Sequence, residues 1–193
     1  MTRSATIQRT TKETQITLVL ALDGTGVHRV ATGIGFLDHM LGTLARFAAW
    51  DLELTCNGDL HIDDHHTAED CALALGSALD QALGDRRGIT RFGSAYVPLD
   101  EALARAVVDL SGRPWPKVKL GLGREKLGEI ASENLEHVLR SLAMNARMAL
   151  HVDVLEGEND HHKAEAAFKA VALALRQAVS RSGSDVPSEK GVL

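Results

Sequence analysis

Two short stretches carry residue types at a spacing that can hold metal ions. One is Asp63-Asp64-His65-His66-Thr67-Ala68-Glu69-Asp70, the other Asn159-Asp160-His161-His162-Lys163-Ala164-Glu165-Ala166. Each contains His-His-x-x-Glu, and the two pairs use four of the nine histidines in the 193 residues. An alanine-rich apolar run follows each copy, so each is expected to open a helix. At about 100° per residue, positions i and i+4 share a face. His65 therefore points with Glu69 and His161 with Glu165, while His66 and His162 point roughly 100° away. One helical turn cannot aim both histidines and the glutamate at a single ion. The simplest arrangement is one His-Glu pair per metal, with the odd histidine reaching another metal. A polar helix N-terminus would explain one copy equally well, since acids are favoured there. Two copies at one helical offset favour ligands.

Two more histidines join by repetition. His39 lies in the first turns of an apolar-periodic helix opened by Leu37-Asp38-His39-Met40-Leu41, and His137 sits similarly in Glu133-Asn134-Leu135-Glu136-His137-Val138-Leu139. A lone histidine among apolar neighbours is more often a core or boundary residue. Here His39 precedes His65 by 26 residues and His137 precedes His161 by 24, an internal repeat with a period of roughly 97 residues. Six histidines and two glutamates divide evenly over two ions. One set is expected to take His161, Glu165, His39 and His66; its mirror takes His65, Glu69, His137 and His162. Nitrogen and oxygen donors without sulfur suit Mn²⁺, Fe²⁺, Co²⁺ or Zn²⁺. Asp38, Asp63, Asp64 and Asp160 are available to orient imidazoles, or equally to cap helices.

The elements that must position these residues follow from periodicity. Alternation and β-branching predict strands over residues 5–9 and 15–20, separated by a polar break in which Glu13 is by default a solvated turn residue. Leu22-Asp23-Gly24-Thr25-Gly26 reads as a hairpin turn, as does Asn57-Gly58 between strands over 50–56 and 59–62. Helices are expected from Leu37 to about Ala48 and from His66 to about Leu83. Gly84-Asp85-Arg86-Arg87-Gly88 is the expected joint between the repeats, 1–86 and 87–193. The second half predicts strands over 91–100, 102–110 (a helix being the alternative), 117–120 and 147–155, and helices over 133–145 and 162–180. The tail from Pro187 to Leu193 is polar and reads as disordered. The expected architecture is α+β, a duplicated βα unit with helices covering the sheets.

Composition bounds the remainder. The length supports a real core, in one domain or two small ones. A net charge of −5 with interspersed signs points away from nucleic acid and anionic membrane. No run of eighteen apolar residues suggests a membrane span, and residues 1–9 lack the apolar core of a signal peptide. Cys56 and Cys71 lack ligand spacing and are expected to be buried thiols of a reducing cytoplasm. Gly33-Ile34-Gly35 and Gly121-Leu122-Gly123 do not complete a dinucleotide fingerprint, and neither a phosphate-binding P-loop nor a serine elbow occurs.

Several segments together closely resemble imidazoleglycerol-phosphate dehydratases. They are Phe36-Leu37-Asp38-His39-Met40-Leu41, the run from Asp59 to Asp70, Ser111-Gly112-Arg113-Pro114, Asn159 to Glu165 with Phe168-Lys169, and Pro187-Ser188 with Lys190-Gly191. The resemblance runs from about Arg9 to Leu193. It implies a cytoplasmic enzyme of histidine biosynthesis that dehydrates D-erythro-imidazole glycerol phosphate to imidazole acetol phosphate. It further implies two Mn²⁺ per active site, a ribosomal protein S5 domain 2-like fold, and a homo-oligomer of 24 subunits with active sites between neighbours. By the same resemblance the phosphate pocket maps to Arg91, Arg113, Lys169, Ser188 and Lys190, which makes the tail a pocket wall or lid. Glu13 matches a substrate-binding glutamate and becomes an acid/base candidate, with the metal-ligating Glu165 and Glu69 as rivals.

Two places depart from the family pattern. Glu189 stands where a small hydroxyl residue is usual, and Gly42-Thr43 replaces a polar pair. Two other classes remain open at this point. A different metal-dependent lyase or hydrolase would not need the Arg91, Arg113 and tail pocket, and a non-enzymatic metal-binding or cage-forming protein would need neither that pocket nor Glu13.

Overall fold

The structure is a computed structural model and describes residues 3–191 and 193. Met1, Thr2 and Val192, which fall in the leader and tail readings above, lie outside the described residues. The first half runs β1 (Ser4–Thr10), β2 (Thr14–Ala21), β3 (His28–Ala31), α1 (Gly35–Ala48), β4 (Asp51–Gly58) and α2 (His65–Leu83). The second runs β5 (Phe92–Leu99), β6 (Ala102–Asp109), β7 (Trp115–Lys119), the short pair β8 (Lys126–Leu127) and β9 (Ile130–Ala131), α3 (Ser132–Asn145), β10 (Ala149–Glu156) and α4 (Asp160–Val179).

Both halves form a four-stranded sheet of the same design, β1-β2-β4-β3 and β5-β6-β10-β7. In each, three strands pair antiparallel and the third strand of the chain joins the edge in parallel. Alternation explains the faces. In β2 the residues Thr14, Ile16, Leu18 and Leu20 are buried while their neighbours face outward, so each sheet sits on helices by one face. The helices then pair across the halves: α1 packs on α4 and α2 on α3. That crossing sets the site, because every close helix pair mixes the two repeats.

The helix ends show how the candidate ligand residues are held. The Asn159 side chain caps α4 by accepting from the His161 amide at 2.9 Å. One residue before the N-cap of α2, the Asp63 carboxylate accepts from the His65 amide at 2.9 Å. Leu75 and Leu79 of α2, and Phe168, Val171 and Leu175 of α4, are fully buried. At the joint, Arg86 is buried and donates to the Arg147 and Ala146 carbonyls at 3.0 and 2.9 Å, fastening the end of α2 to the end of α3.

Three expectations are corrected. The segment over 59–62 is a turn, not a strand. β4 already has β2 on one edge and β3 on the other, so no ladder position is left for it. A Cβ at Gly58 would also lie 2.1 Å from the Thr67 hydroxyl, so glycine is what lets the end of β4 lie this close to α2. Likewise Asp23-Gly24 does not close a hairpin. The Asp51 carboxylate accepts from the Thr25, Gly26 and Val27 amides at 2.9, 3.1 and 3.0 Å. That loop delivers β3, unseen in the sequence, to the far side of β4. Finally, the tail is not loose: Gly88 donates to the Asp185 carbonyl at 2.8 Å and Arg91 to the Pro187 carbonyl at 2.9 Å. The segment over 102–110 resolves as strand, paired on both edges.

Candidate metal centre and its surroundings

The cross-half helix pairs bring together two three-residue clusters. His39 of α1 meets His161 and Glu165 of α4, and His65 and Glu69 of α2 meet His137 of α3. In each, one donor atom per residue lies within 4.8 Å of the others. Glu165 Oε2 stands 3.2 Å from His39 Nε2 and 3.1 Å from His161 Nε2. Glu69 Oε1 stands 2.9 Å from His137 Nε2, and the His65 and His137 rings lie 4.8 Å apart by centroid. Phe36 packs edge-on against both His39 and His161, limiting their ring rotation. The donor set is two imidazoles and a carboxylate, half-exposed, without sulfur. It fits a borderline or hard divalent cation with open coordination positions.

His66 and His162 do not enter these clusters within the chain. Both are oriented by carboxylates. His66 Nδ1 lies 3.0 Å from Asp59 Oδ2, and His162 Nδ1 lies 2.7 Å from Glu101 Oε2. His65 Nδ1 is held by the Asn134 side-chain oxygen at 2.9 Å, and Asn134 in turn donates to Asp64. A proton fixed on Nδ1 leaves the Nε2 lone pair available to a metal ion. Asp59, Glu101 and Asn134 are thus the orienting residues, and the aspartates expected in that role do other work. Asp38 accepts from Thr32, Asp63 from the His65 amide, Asp64 from Ala131 and Asn134, and Asp160 from Gly123 and Arg124. Asp59 and Glu101 lie in turns, where an isolated acid gives no periodic signal. Asn134 stood beside Glu133 and His137 in the second-half motif and was not singled out.

Electrostatics distinguish the clusters. Burial raises the Glu165 carboxyl, but the Lys169 ammonium 2.7 Å away and the His39 and His161 hydrogen bonds outweigh it and hold the group at about 2. Hydrogen bonding to Asp59 raises His66, with the Glu13 charge adding to it, and hydrogen bonding to Glu101 raises His162.

A family model described as imidazoleglycerol-phosphate dehydratase matches residues 32–175. The chain belongs to the imidazoleglycerol-phosphate dehydratase family. An imidazoleglycerol-phosphate dehydratase of Eremothecium gossypii is 53% identical over 216 aligned residues, covering 100% of this chain and 98% of that protein. One of Phytophthora nicotianae is 60% identical over 192 residues, and this chain spans 42% of its length. The crystal structure of the Staphylococcus aureus dehydratase superposes with a TM-score of 0.84 at 36% identity, over 93% of this chain and 99% of that one. The Pyrococcus furiosus structure gives 0.84 at 37% identity, over 97% and 100%. The α+β fold is therefore that of the family, and the activity is that of a hydro-lyase of histidine biosynthesis.

The remaining family positions fall in three places. Glu13, in the β1–β2 turn, presents Oε1 3.7 Å from His66 Nε2. Lys169 stays with Glu165 and lies over the Phe47 ring at 5.3 Å. Arg91 is bound to Asp109 and to the tail at Pro187, next to Ser188. The end of the chain at Leu193 lies against Gly112, beside Arg113. Lys190 and Glu189 are exposed on that tail. Among the described residues Lys169 and Arg91 share no bonding partner. At the other departure, a Cβ on Gly42 would meet His28 Nε2 at 2.8 Å, so the His28 ring occupies the space a larger residue would need. Among the described residues no helix is long and apolar enough to cross a membrane.

Proposed function

We propose that the chain dehydrates D-erythro-imidazole glycerol phosphate to imidazole acetol phosphate with two Mn²⁺ ions per active site. One ion would be held by His39, His161 and Glu165 with His66 of another copy, the other by His65, Glu69 and His137 with His162 of another copy. The observation that carries this is the pair of clusters, each one ligand short, alongside two histidines that are oriented by carboxylates yet stand outside both. Ligands missing from one chain and spare in the same chain favour an assembly closed by copies of itself. We extend this to the 24-subunit cage and the cytoplasmic setting of the family resemblance, with neither nucleic acid nor membrane as a partner.

The reaction removes a carbon-bound proton and a hydroxyl as water, leaving an enol that becomes the ketone. Bound metal supplies Lewis-acid stabilisation of a deprotonated imidazole ring and orients the substrate. The chain must supply the base and hold the phosphate. Glu165 is tied to Lys169 and lies between His39 and His161, and Glu69 is hydrogen-bonded to His137. Glu13 has an exposed carboxylate, with Oε1 3.7 Å from His66 Nε2. Glu13 is therefore assigned as the group that takes the proton, as base catalysis requires a reachable carboxylate. Arg91, Arg113, Ser188, Lys190 and Lys169 hold the phosphate, remote from the bond that breaks. Lys169 and the arginines share no bonding partner among the described residues, and we take that pocket too to be completed between copies.

Turnover of imidazole glycerol phosphate by metal-stripped protein, with and without added Mn²⁺, tests this reading. Product only with Mn²⁺ is expected. Absence of product from the reconstituted assembly would reject it.

A further inference from the structure

The duplication extends to the carboxylate that faces the odd histidine. In the first half Glu13, at the tip of the β1–β2 turn, points at His66 Nε2 from 3.7 Å, while Asp59 holds Nδ1 from the other side. In the second half Asp100, at the tip of the β5–β6 hairpin, points at His162 Nε2 from 3.7 Å, while Glu101 holds Nδ1. The two hairpins are the same element of the two repeats. Leu99 pairs with Ala102, so only Asp100 and Glu101 form the turn.

Nothing in the fold itself employs the Asp100 side chain. It is 74% exposed and makes no hydrogen bond among the described residues, its nearest charged neighbour being His162. Glu101, by contrast, is fixed: it accepts from the Glu158 and Asn159 amides at 3.2 and 2.8 Å as well as holding His162. The hairpin tip is thereby clamped to the start of α4. Asp100 itself adopts φ +49, a left-handed conformation that non-glycine residues rarely take. A clamped tip presents one free carboxylate to the ligating nitrogen of His162, as the other tip presents Glu13 to His66.

We propose that Asp100 is a second substrate-contacting carboxylate, the counterpart of Glu13 across the internal duplication, and that it accepts a hydrogen bond from a hydroxyl of the bound polyol phosphate. The inference rests on the dehydratase reading above. A group bound beside His162 Nε2 comes within reach of Asp100, and a hydroxyl is the donor that such a substrate offers.

The test compares Asp100→Asn and Asp100→Gly with the parent enzyme, all loaded with Mn²⁺, in steady-state turnover of imidazole glycerol phosphate. Both asparagine and glycine tolerate positive φ, so neither strains the turn. Losing a hydrogen bond to a charged group is expected to lower kcat/KM about ten- to hundredfold, with bound metal and melting temperature unchanged. Parent-like kcat/KM in both variants would overturn the proposal alone. Activity lost together with metal or thermal stability would also overturn it, by making Asp100 a support of the fold. An inactive parent enzyme would overturn the dehydratase reading and this proposal with it.

Discussion

The two candidate clusters use the same three residue types on the same kind of helix pair, yet their charge is not the same. Glu165 is neutralised by Lys169 at 2.7 Å. Glu69 has only His137 within ion-pair distance among the described residues. A cation approaching His65, Glu69 and His137 meets an uncompensated carboxylate, whereas one approaching His39, His161 and Glu165 must compete with an ammonium group. Duplication has preserved the donor geometry while one added lysine gives the two sites different electrostatics. Lys169 also belongs to the phosphate-binding residues proposed above, so phosphate would draw charge from the same lysine that restrains the first cluster.

Removing the ligating carboxylate from either side gives the largest expected effect. Glu165→Gln and Glu69→Gln should each lower turnover on the order of a thousandfold, since metal Lewis-acid stabilisation amounts to several kcal/mol. Each should lose one of the two bound ions, counted by elemental analysis of the purified protein. Loss of both ions from one variant would mean that the clusters are not independent. The orienting residues come next. Asp59→Asn, Glu101→Gln and Asn134→Ala should weaken metal binding about 10- to 100-fold, and Asn134→Ala should act only on the ion held by His65. Titration with Mn²⁺ by paramagnetic resonance would resolve the two sites.

The charge difference itself predicts ordered loading, with the Glu69 cluster filling first. Lys169→Met should narrow the gap between the two affinities by roughly tenfold, for a pair screened by partial exposure, while raising KM for the phosphorylated substrate. Equal affinities in the parent protein would break the comparison.

Acidity should separate metal binding from folding. His66 and His162 are raised above their ordinary 6.5 by their carboxylates. In the metal-free protein these pairs stabilise the fold below the ordinary imidazole value and lose that contribution as pH rises through the raised values. Metal needs the unprotonated nitrogen, so its uptake runs the other way and weakens as pH falls through the same window. Imidazole NMR titration of the metal-free protein should place both residues above 6.5. The smallest effect is expected at the tail, where Glu189→Ser should lower KM by less than about fivefold, as an exposed charge permits.

How much of this was legible in the sequence depends on the range of the determining contact. His65 with Glu69 and His161 with Glu165 are i, i+4 neighbours, so helical period alone placed them on common faces. His39 and His137 became readable only because the chain repeats itself. Their partners follow from α1 lying on α4 and α2 on α3, which the repeat suggested and packing shows. Asp59, Glu101 and Asn134 were not found, because their roles depend on where turns and facing helices fall in space. β3 was missed for the same reason: its four residues are fixed by a parallel ladder with β4, and the Asp23-Gly24 pair before it imitates a hairpin. The short strand expected over 59–62 failed because β4 had no free edge, a fact of the whole sheet rather than of those residues.

The most direct test of sites shared between copies is complementation. His161→Ala removes a ligand from a cluster in its own chain, and His66→Ala removes the ligand that the chain would give to another. Each variant alone should be inactive. Co-assembled from unfolded chains in equal amounts, intact Glu165 clusters of one variant can meet intact His66 of the other, and activity should return to up to about a quarter of the parent level for random mixing in a closed oligomer. If each chain completed its own sites, no mixture would contain an intact one. A mixed assembly that stays inactive, while refolded parent protein recovers its turnover, would contradict sites built between copies.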